Sequence, residues 1–261
     1  MSHLKWLLVL PLLLGADSAI AAGSVVHFID YYHIILFKAG MSKAQIELWS
    51  PTLGACVATM LILALGLRFR SQVIACGDPA VPSSKFGARW LVEALMEVVY
   101  GIGRDTVGHG FEKFLPFLAG LFVFIFVNNI SGLVPGFPPA TESINTNLAM
   151  GLSAFIVYNF AGCREHGFKY VKQFLGPVAW LAPLMFFIEL VSHIARPLSL
   201  SLRLMGNLFG DHLMLGVFTG LTYVIFPAVL LFFGLLVASV QSFVFTLLSS
   251  IYISMAVSHD H

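Results

Sequence analysis

Long stretches without a single charged residue divide this chain. Between Glu47 and Arg68 lie 20 uncharged residues, Leu48 to Leu67, enough for one helix across about 30 Å of hydrocarbon. A second apolar run extends from Phe114 to about Val134, where Pro135-Gly136 ends it, and a third from about Asn147 to Ala161. Phe86 to Val107 reads differently, because Trp90, Leu91, Leu95, Met96 and Val99 alternate with Arg89, Glu93, Glu97, Arg104 and Asp105. That pattern predicts an amphipathic helix lying on the membrane surface or against a partner. From Gln173 to Ser258 there are only four charged residues: Glu189, Arg196, Arg203 and Asp211. A helix over 223–257 would be roughly 50 Å long, and 184–221 has the same excess, so both must tilt steeply to stay in the hydrocarbon. The pattern therefore predicts an all-α integral membrane protein. It has five spans, at about 48–67, 114–134, 147–161, 184–221 and 223–257, and the last two form a long, strongly tilted helical hairpin joined around Leu221-Thr222.

Composition identifies the solvent. Of the 261 residues 58% are hydrophobic and 10% charged, and the mean hydropathy is +0.89. A soluble domain carries about 25% charge. Fourteen basic and 13 acidic side chains leave a net charge of +1, which gives no footprint for nucleic acid. Cys56, Cys76 and Cys163 are widely spaced, with no CxxC, so neither a disulfide framework nor a metal site is expected. Lys5, the apolar run Trp6 to Leu14 and Ala19-Ile20-Ala21 have the layout of a secretory signal peptide over residues 1–21; the alternative is an uncleaved apolar segment. Residues 22–261 then form a single membrane domain. Arg68, Arg70, Arg164, Lys169 and Lys172 flank spans on one side, whereas 135–146 contains no Lys or Arg. The basic loops belong in the cytoplasm, which leaves the N-terminus outside and the C-terminus cytoplasmic.

The few charges inside the apolar C-terminal third are the candidate chemistry. Each costs about 2.5–3.5 kcal/mol at the centre of a bilayer. Glu189, Arg196 and Arg203 recur every seven residues, so they share one helical face within roughly 40°, with Ser192, Ser199 and Asn207 on or near it. Such a stripe faces protein or water. Arg203 stays protonated even when desolvated. Glu189 lies about 21 Å away along the axis and Asp211 about 12 Å, neither a natural direct partner. Arg203 is therefore expected to meet a carboxylate on another subunit, the alternative being a snorkelling or intrahelical pair.

The segment Arg196 to Asn207, RPLSLSLRLMGN, resembles the signature of subunit a of F-type ATP synthases, the membrane stator beside the rotating c-ring. Three further blocks agree in order: Asn129 to Gly136 (NISGLVPG), Ile144 to Leu148 (INTNL) and Gln241 to Leu248 (QSFVFTLL). The resemblance covers roughly Ile46 to Met255. It implies an ion-translocating subunit, with protons the expected ion, that offers two offset half-channels to the c-ring. Arg203 would force the c-ring carboxylate to release its proton, and Gln241 would orient the guanidinium. On the cytoplasmic side the resemblance implies Glu189 and, less directly, Ser192 and His193, the last four residues from Glu189 and within reach of it. On the external side it implies Asn207, Asp211 and His212, with Asn129 and Glu142 as possible access groups. Many members carry a carboxylate nine residues after the arginine and a histidine or acid across the hairpin. Here those positions hold His212, with Asp211 just before it, and Gly234. The implied partners are the c-ring, subunit b of the peripheral stalk, the catalytic head indirectly and the lipid bilayer, in a bacterial inner membrane.

No P-loop and no HExxH occurs, so the chain by itself is not expected to be an ATPase, and no cofactor is implied. A stand-alone secondary transporter using Glu189, Arg203 and Asp211 is the competing reading. It lacks the internal repeats usual in such folds. An intramembrane hydrolase finds no nucleophile–base set. Gly206/Gly210 and Gly216/Gly220 are small-xxx-small pairs expected to serve close helix approach.

Overall fold

The computed structural model describes residues 40, 42–75, 87–108, 110–134, 139–167, 182–221 and 225–257. Every regular element among them is helical. Helix α1 spans Lys43–Ala75, α2 Ala88–Thr106, α3 Leu115–Gly132, α4 Ile144–His166, α5 Ala182–Leu221 and α6 Ile225–Val257. Single 3₁₀ turns at Phe111–Lys113 and Ala140–Glu142 precede α3 and α4. The expected signal peptide, the loop at 168–181 and the residues that would turn the hairpin at 222–224 lie outside the described residues.

Four helices contain stretches long and apolar enough to cross a membrane: Trp49–Ala75, Leu115–Gly132, Leu184–Phe218 and Phe226–Val257. The chain is thus a multi-pass helical membrane protein. Helix α4, expected as the third span, has 23 residues and so a length of about 34 Å. It falls outside that apolar set, because it opens on Ile144-Asn145-Thr146-Asn147 and closes on Cys163-Arg164-Glu165-His166. Helix α3 begins with Pro116 in its first turn, where a missing N–H costs no hydrogen bond. Helix α5 runs 40 residues, through Pro197.

The core is built around α6, which packs on α2, α3, α4 and α5. Two apolar clusters stack along it. One joins Val99 of α2, Leu118, Ala119 and Phe122 of α3, Tyr158 of α4, and Ile253 and Ala256 of α6. The other joins Leu121 and Ile125 of α3, Met150 and Ala154 of α4, Leu200 and Leu204 of α5, and Phe245 of α6. The residue pairings make α3, α4, α5 and α6 alternate in direction. Position 128–134 of α3, the turn at 140–142 and position 207–212 of α5 therefore gather at one end. The amphipathic α2 lies at the other, its Val99 and Ile102 buried and Trp90, Leu91, Val98 and Tyr100 exposed. Its N-terminus is tied to α1, since the Arg89 N–H donates to the Gln72 side chain at 3.0 Å.

Helices α4 and α5 come to backbone contact at Gly151. A Cβ there would lie 2.7 Å from the Pro197 carbonyl oxygen and would also meet the Ser201 hydroxyl. That hydroxyl is shared between the carbonyls of Pro197, at 2.7 Å, and Asn147, at 2.9 Å. By contrast, a Cβ on Gly206 or Gly210 would meet nothing within 4 Å. Those two glycines face outward and do not serve close approach within the subunit. Gly151→Ala is therefore expected to destabilise the purified subunit by about 1–3 kcal/mol, while Gly206→Ala and Gly210→Ala leave it unchanged. Detergent-titrated unfolding followed by circular dichroism measures all three, and equal losses would contradict this account of the α4–α5 contact.

Candidate functional site

The outward face of α5 carries Ser192, Ser199, Arg203, Gly206, Asn207 and Gly210, all exposed and all within one angular sector. No other described helix covers this strip. Arg203 has no hydrogen bond or ion pair among the described residues. The acid closest to it in the seven-residue series is otherwise engaged: Glu189 Oε1 lies 3.5 Å from Arg196 Nη2. A guanidinium keeps its charge in any environment a protein offers. Arg203 is thus a fixed positive charge on a membrane helix without a countercharge among the described residues.

Behind this strip, α3, α5 and α6 form a small, partly open cleft. Asn129, Asn207, Asp211, His212, Gly234 and Gln241 line it, with Leu133, Leu204, Leu208, Val237 and Ala238 as its apolar wall. The structure thus brings together the residues expected on the external side. Asn207 Nδ2 donates to Gln241 Oε1 at 2.7 Å, joining α5 to α6. Gln241 is 5% exposed, and its Nε2 has no acceptor. Its carbonyl was expected to receive the Arg203 guanidinium; it receives the Asn207 amide. A buried donor left unpaired costs about 1–3 kcal/mol, and the cleft beside it has room for about one water molecule.

His212 is held from outside its own helix. Its Nε2 is 3.2 Å from the Gly132 carbonyl at the end of α3, and its Nδ1 is 3.4 Å from Glu142 Oε2 on the 3₁₀ turn. In the sequence the acid next to His212 is Asp211, directly before it. The described carboxylate facing the imidazole within 4 Å is instead Glu142, 70 positions earlier in the chain. No periodicity links these two positions, so sequence spacing could not have paired them.

The other end of α5 is built on aromatic rings. Arg196 sits over the Tyr252 ring of α6, 5.4 Å from its centroid, and carries Glu189 with it. His193, expected beside Glu189, turns into the core. Its Nε2 is 2.8 Å from Asn159 Oδ1 of α4, and its ring meets Phe155 and Tyr158 edge-on at 5.0 and 5.2 Å. Ser192 stays on the exposed strip, as does Ser199, so Ser192 and His193, both expected on the cytoplasmic side, lie on different faces of α5. Neither Tyr252 nor Asn159 was singled out from the sequence, since each reads as an ordinary position on an apolar helix. Among the described residues no three His, Cys, Asp or Glu side chains come together as metal ligands.

The comparisons with known proteins agree on one family. Residues 52–254 match the model of the family described as "ATP synthase A chain". The chain is 45% identical over 212 residues to the ATP synthase subunit a of Bdellovibrio bacteriovorus, covering 80% of this chain and 91% of that one. It is 39% identical over 234 residues to the ATP synthase subunit a of Geotalea uraniireducens, covering 90% and 97%. An ATP synthase subunit a 2 of Syntrophotalea carbinolica is 45% identical over 175 residues, covering 67% and 75%.

The Asn207–Gln241 bond has a measurable coupling. Asn207→Ala and Gln241→Ala, made singly and together, are expected to show an interaction energy of about 0.6–1.7 kcal/mol in detergent-titrated unfolding of the purified subunit. Strict additivity of the two losses would mean that the amides do not join α5 to α6.

Proposed function

The chain belongs to the ATP synthase A chain family, and from that premise we propose that it conducts protons past the fixed charge of Arg203 to and from a c-ring turning against α5. It is a non-catalytic subunit of the complex. In this reading the membrane domain spans residues 22–261 after removal of a signal peptide at 1–21. It crosses a bacterial inner membrane five times, with α4 as the third span and α5–α6 as a tilted hairpin. The N-terminus is outside and the C-terminus cytoplasmic. The c-ring and subunit b are its partners, and the catalytic head is reached through them.

The observation that carries the reading is Arg203, a permanent cation that faces outward without a countercharge among the described residues. The flanking Ser199, Gly206 and Gly210 leave the helix surface low around it, so a partner helix can approach closely. A c-ring carboxylate that arrives protonated meets this cation. An opposite charge about 4 Å away favours the carboxylate anion by about 4 kcal/mol at an effective dielectric constant of about 20. That is on the order of a thousandfold in proton release. The released proton leaves by one half-channel, and the carboxylate is reloaded from the other once it has moved away from Arg203. Because the same positive charge repels a proton, the two paths stay separate and ion flow must pass through the ring.

The external path runs through Glu142, Asn129, His212, Asp211 and Asn207, ending at the Asn207–Gln241 amide pair. The cytoplasmic path uses Glu189 and the exposed hydroxyls of Ser192 and Ser199. His193, turned into the core, is left out of it. Gln241 holds Asn207, four residues after Arg203, through the amide bond between them. No observation favours the stand-alone transporter.

The test is Arg203→Ala in the assembled enzyme. ATP-driven proton pumping into inverted membrane vesicles is expected to fall on the order of a thousandfold, with assembly intact because the side chain is exposed and unpaired among the described residues. Coupled pumping at the normal rate would overturn the proposal.

A further inference from the structure

The buried polar residues around the 3₁₀ turn do more than close the end of the bundle. Thr141 is 0% exposed, as is Asn147, and Asn129 is 3% exposed. The Thr141 hydroxyl donates to Asn129 Oδ1 of α3 at 2.9 Å. Its carbonyl accepts the Asn147 side-chain amide of α4 at 2.7 Å. The Asn147 carbonyl in turn accepts the Ser201 hydroxyl of α5 at 2.9 Å. One residue thus ties a three-residue turn to two helices directly and to a third through Asn147. The turn is also seated on the end of α3: a Cβ on Gly132 would come within 2.8 Å of the Pro139 ring. Gly132 is the residue whose carbonyl faces His212.

The residue after Thr141 is Glu142, whose N–H donates to the Pro139 carbonyl at 3.1 Å and whose carboxylate reaches His212 Nδ1 at 3.4 Å. A glutamate side chain on a free loop samples many positions and loses rotamer entropy on pairing. This one starts from a backbone held on both sides by buried hydrogen bonds. We propose that Thr141 is a positioning residue, holding Glu142 against His212 so that the turn outside the membrane helices completes the ion path along α5. The same hydroxyl fixes the Asn129 amide, because it occupies Oδ1 and leaves Nδ2 as the group available to donate at the cleft. The titratable groups that face this place are Glu142 on the turn and Asp211 and His212 on α5. Helices α3 and α6 supply amides and apolar side chains to it.

The inference rests on the reading of α5 as the ion path, and the experiment separates the two. In inverted vesicles stripped of the catalytic head, passive proton conductance is measured as a function of lumenal pH. Thr141→Val keeps the shape and removes the hydroxyl. It is expected to lower conductance by about tenfold, the equivalent of one lost hydrogen bond. It should also move the midpoint of the pH profile in the direction in which Glu142→Gln moves it. Thr141→Ser should restore both rate and midpoint, and Thr141→Val/Glu142→Gln should behave as Glu142→Gln alone. Should Thr141→Val fail to assemble, Asn147→Ala, which frees the Thr141 carbonyl, is expected to move the midpoint the same way. A conductance loss with an unmoved midpoint, or additive effects in the double variant, would overturn the positioning role. An unaltered Glu142→Gln profile would overturn it as well, while leaving the function intact if Arg203→Ala still abolishes pumping. Normal pumping by Arg203→Ala removes the reading itself, whatever Thr141 does.

Discussion

A guanidinium on a membrane helix has no way to become neutral. Lysine, histidine and the carboxylates can lose their charge on entering an apolar medium, whereas arginine keeps it and must be answered by something outside itself. In this chain the obvious internal answers are otherwise placed. Glu189 pairs with Arg196, and Asp211 lines a cleft beside His212. Arg203 is left facing outward from a surface kept low by Gly206 and Gly210. The rest of the bundle makes this arrangement tolerable. Helix α6 anchors α5 from behind, through the buried Phe245 and the Asn207–Gln241 bond, and the backbone contact at Gly151 anchors it from α4. With its inner face committed to both helices, α5 cannot rotate to bury its charge.

The two ends of α5 are built on different physics. At the Glu142 end the polar groups are amides, an imidazole and carboxylates around a cleft large enough for water, and they come from three helices and a turn. Side chains there can exchange protons because their partners are polar and reachable. At the Tyr252 end the polar groups are held by rings: the Arg196 guanidinium lies over Tyr252, and the His193 imidazole is wedged between Phe155 and Tyr158. Aromatic faces attract a cation without accepting a proton, so the Arg196 guanidinium is held in place here with Glu189 paired to it, while the hydroxyls of Ser192 and Ser199 stay exposed. A polar stripe that looks uniform in the sequence is thus divided by burial into an outward-facing part and a part packed in the core.

How much of this was legible beforehand follows from which interactions leave a periodic trace. Runs of helical length with few or no charges marked α1, α3, α5 and α6, because hydrocarbon excludes charge along most of such a run. The mixed pattern at 86–107 marked α2, whose buried face repeats at helical spacing. Arg203 stood out because nothing near it in the sequence could neutralise it. What stayed hidden depends on contacts between distant segments. Nothing at Gly151 announces that the Pro197 carbonyl lies against it, and Tyr252 differs little from the phenylalanines around it. His193 and Glu189, four apart on one helix, looked like partners. Burial decided otherwise, since a few tens of degrees around α5 separate a side chain facing Asn159 from one facing out.

The place where the chain departs from the expected pattern is also where the third dimension adds most. Gly234 stands on α6 where an acid or histidine was expected to face His212, which suggested that the acid had moved next door, to Asp211. The structure offers a different solution. Without a side chain at Gly234 the cleft is lined there by backbone, and Glu142 approaches the imidazole from the opposite wall, on a turn held by Thr141 and Asn147. What a proton relay requires is a pair of titratable groups at hydrogen-bonding range, not a pair on given helices. A short turn pinned by buried hydrogen bonds can supply one member as rigidly as a helix does. Moving the acid to the turn also places it on a segment outside the long helices, tied to α3 and α4 by the hydrogen bonds of Thr141, rather than midway along α6.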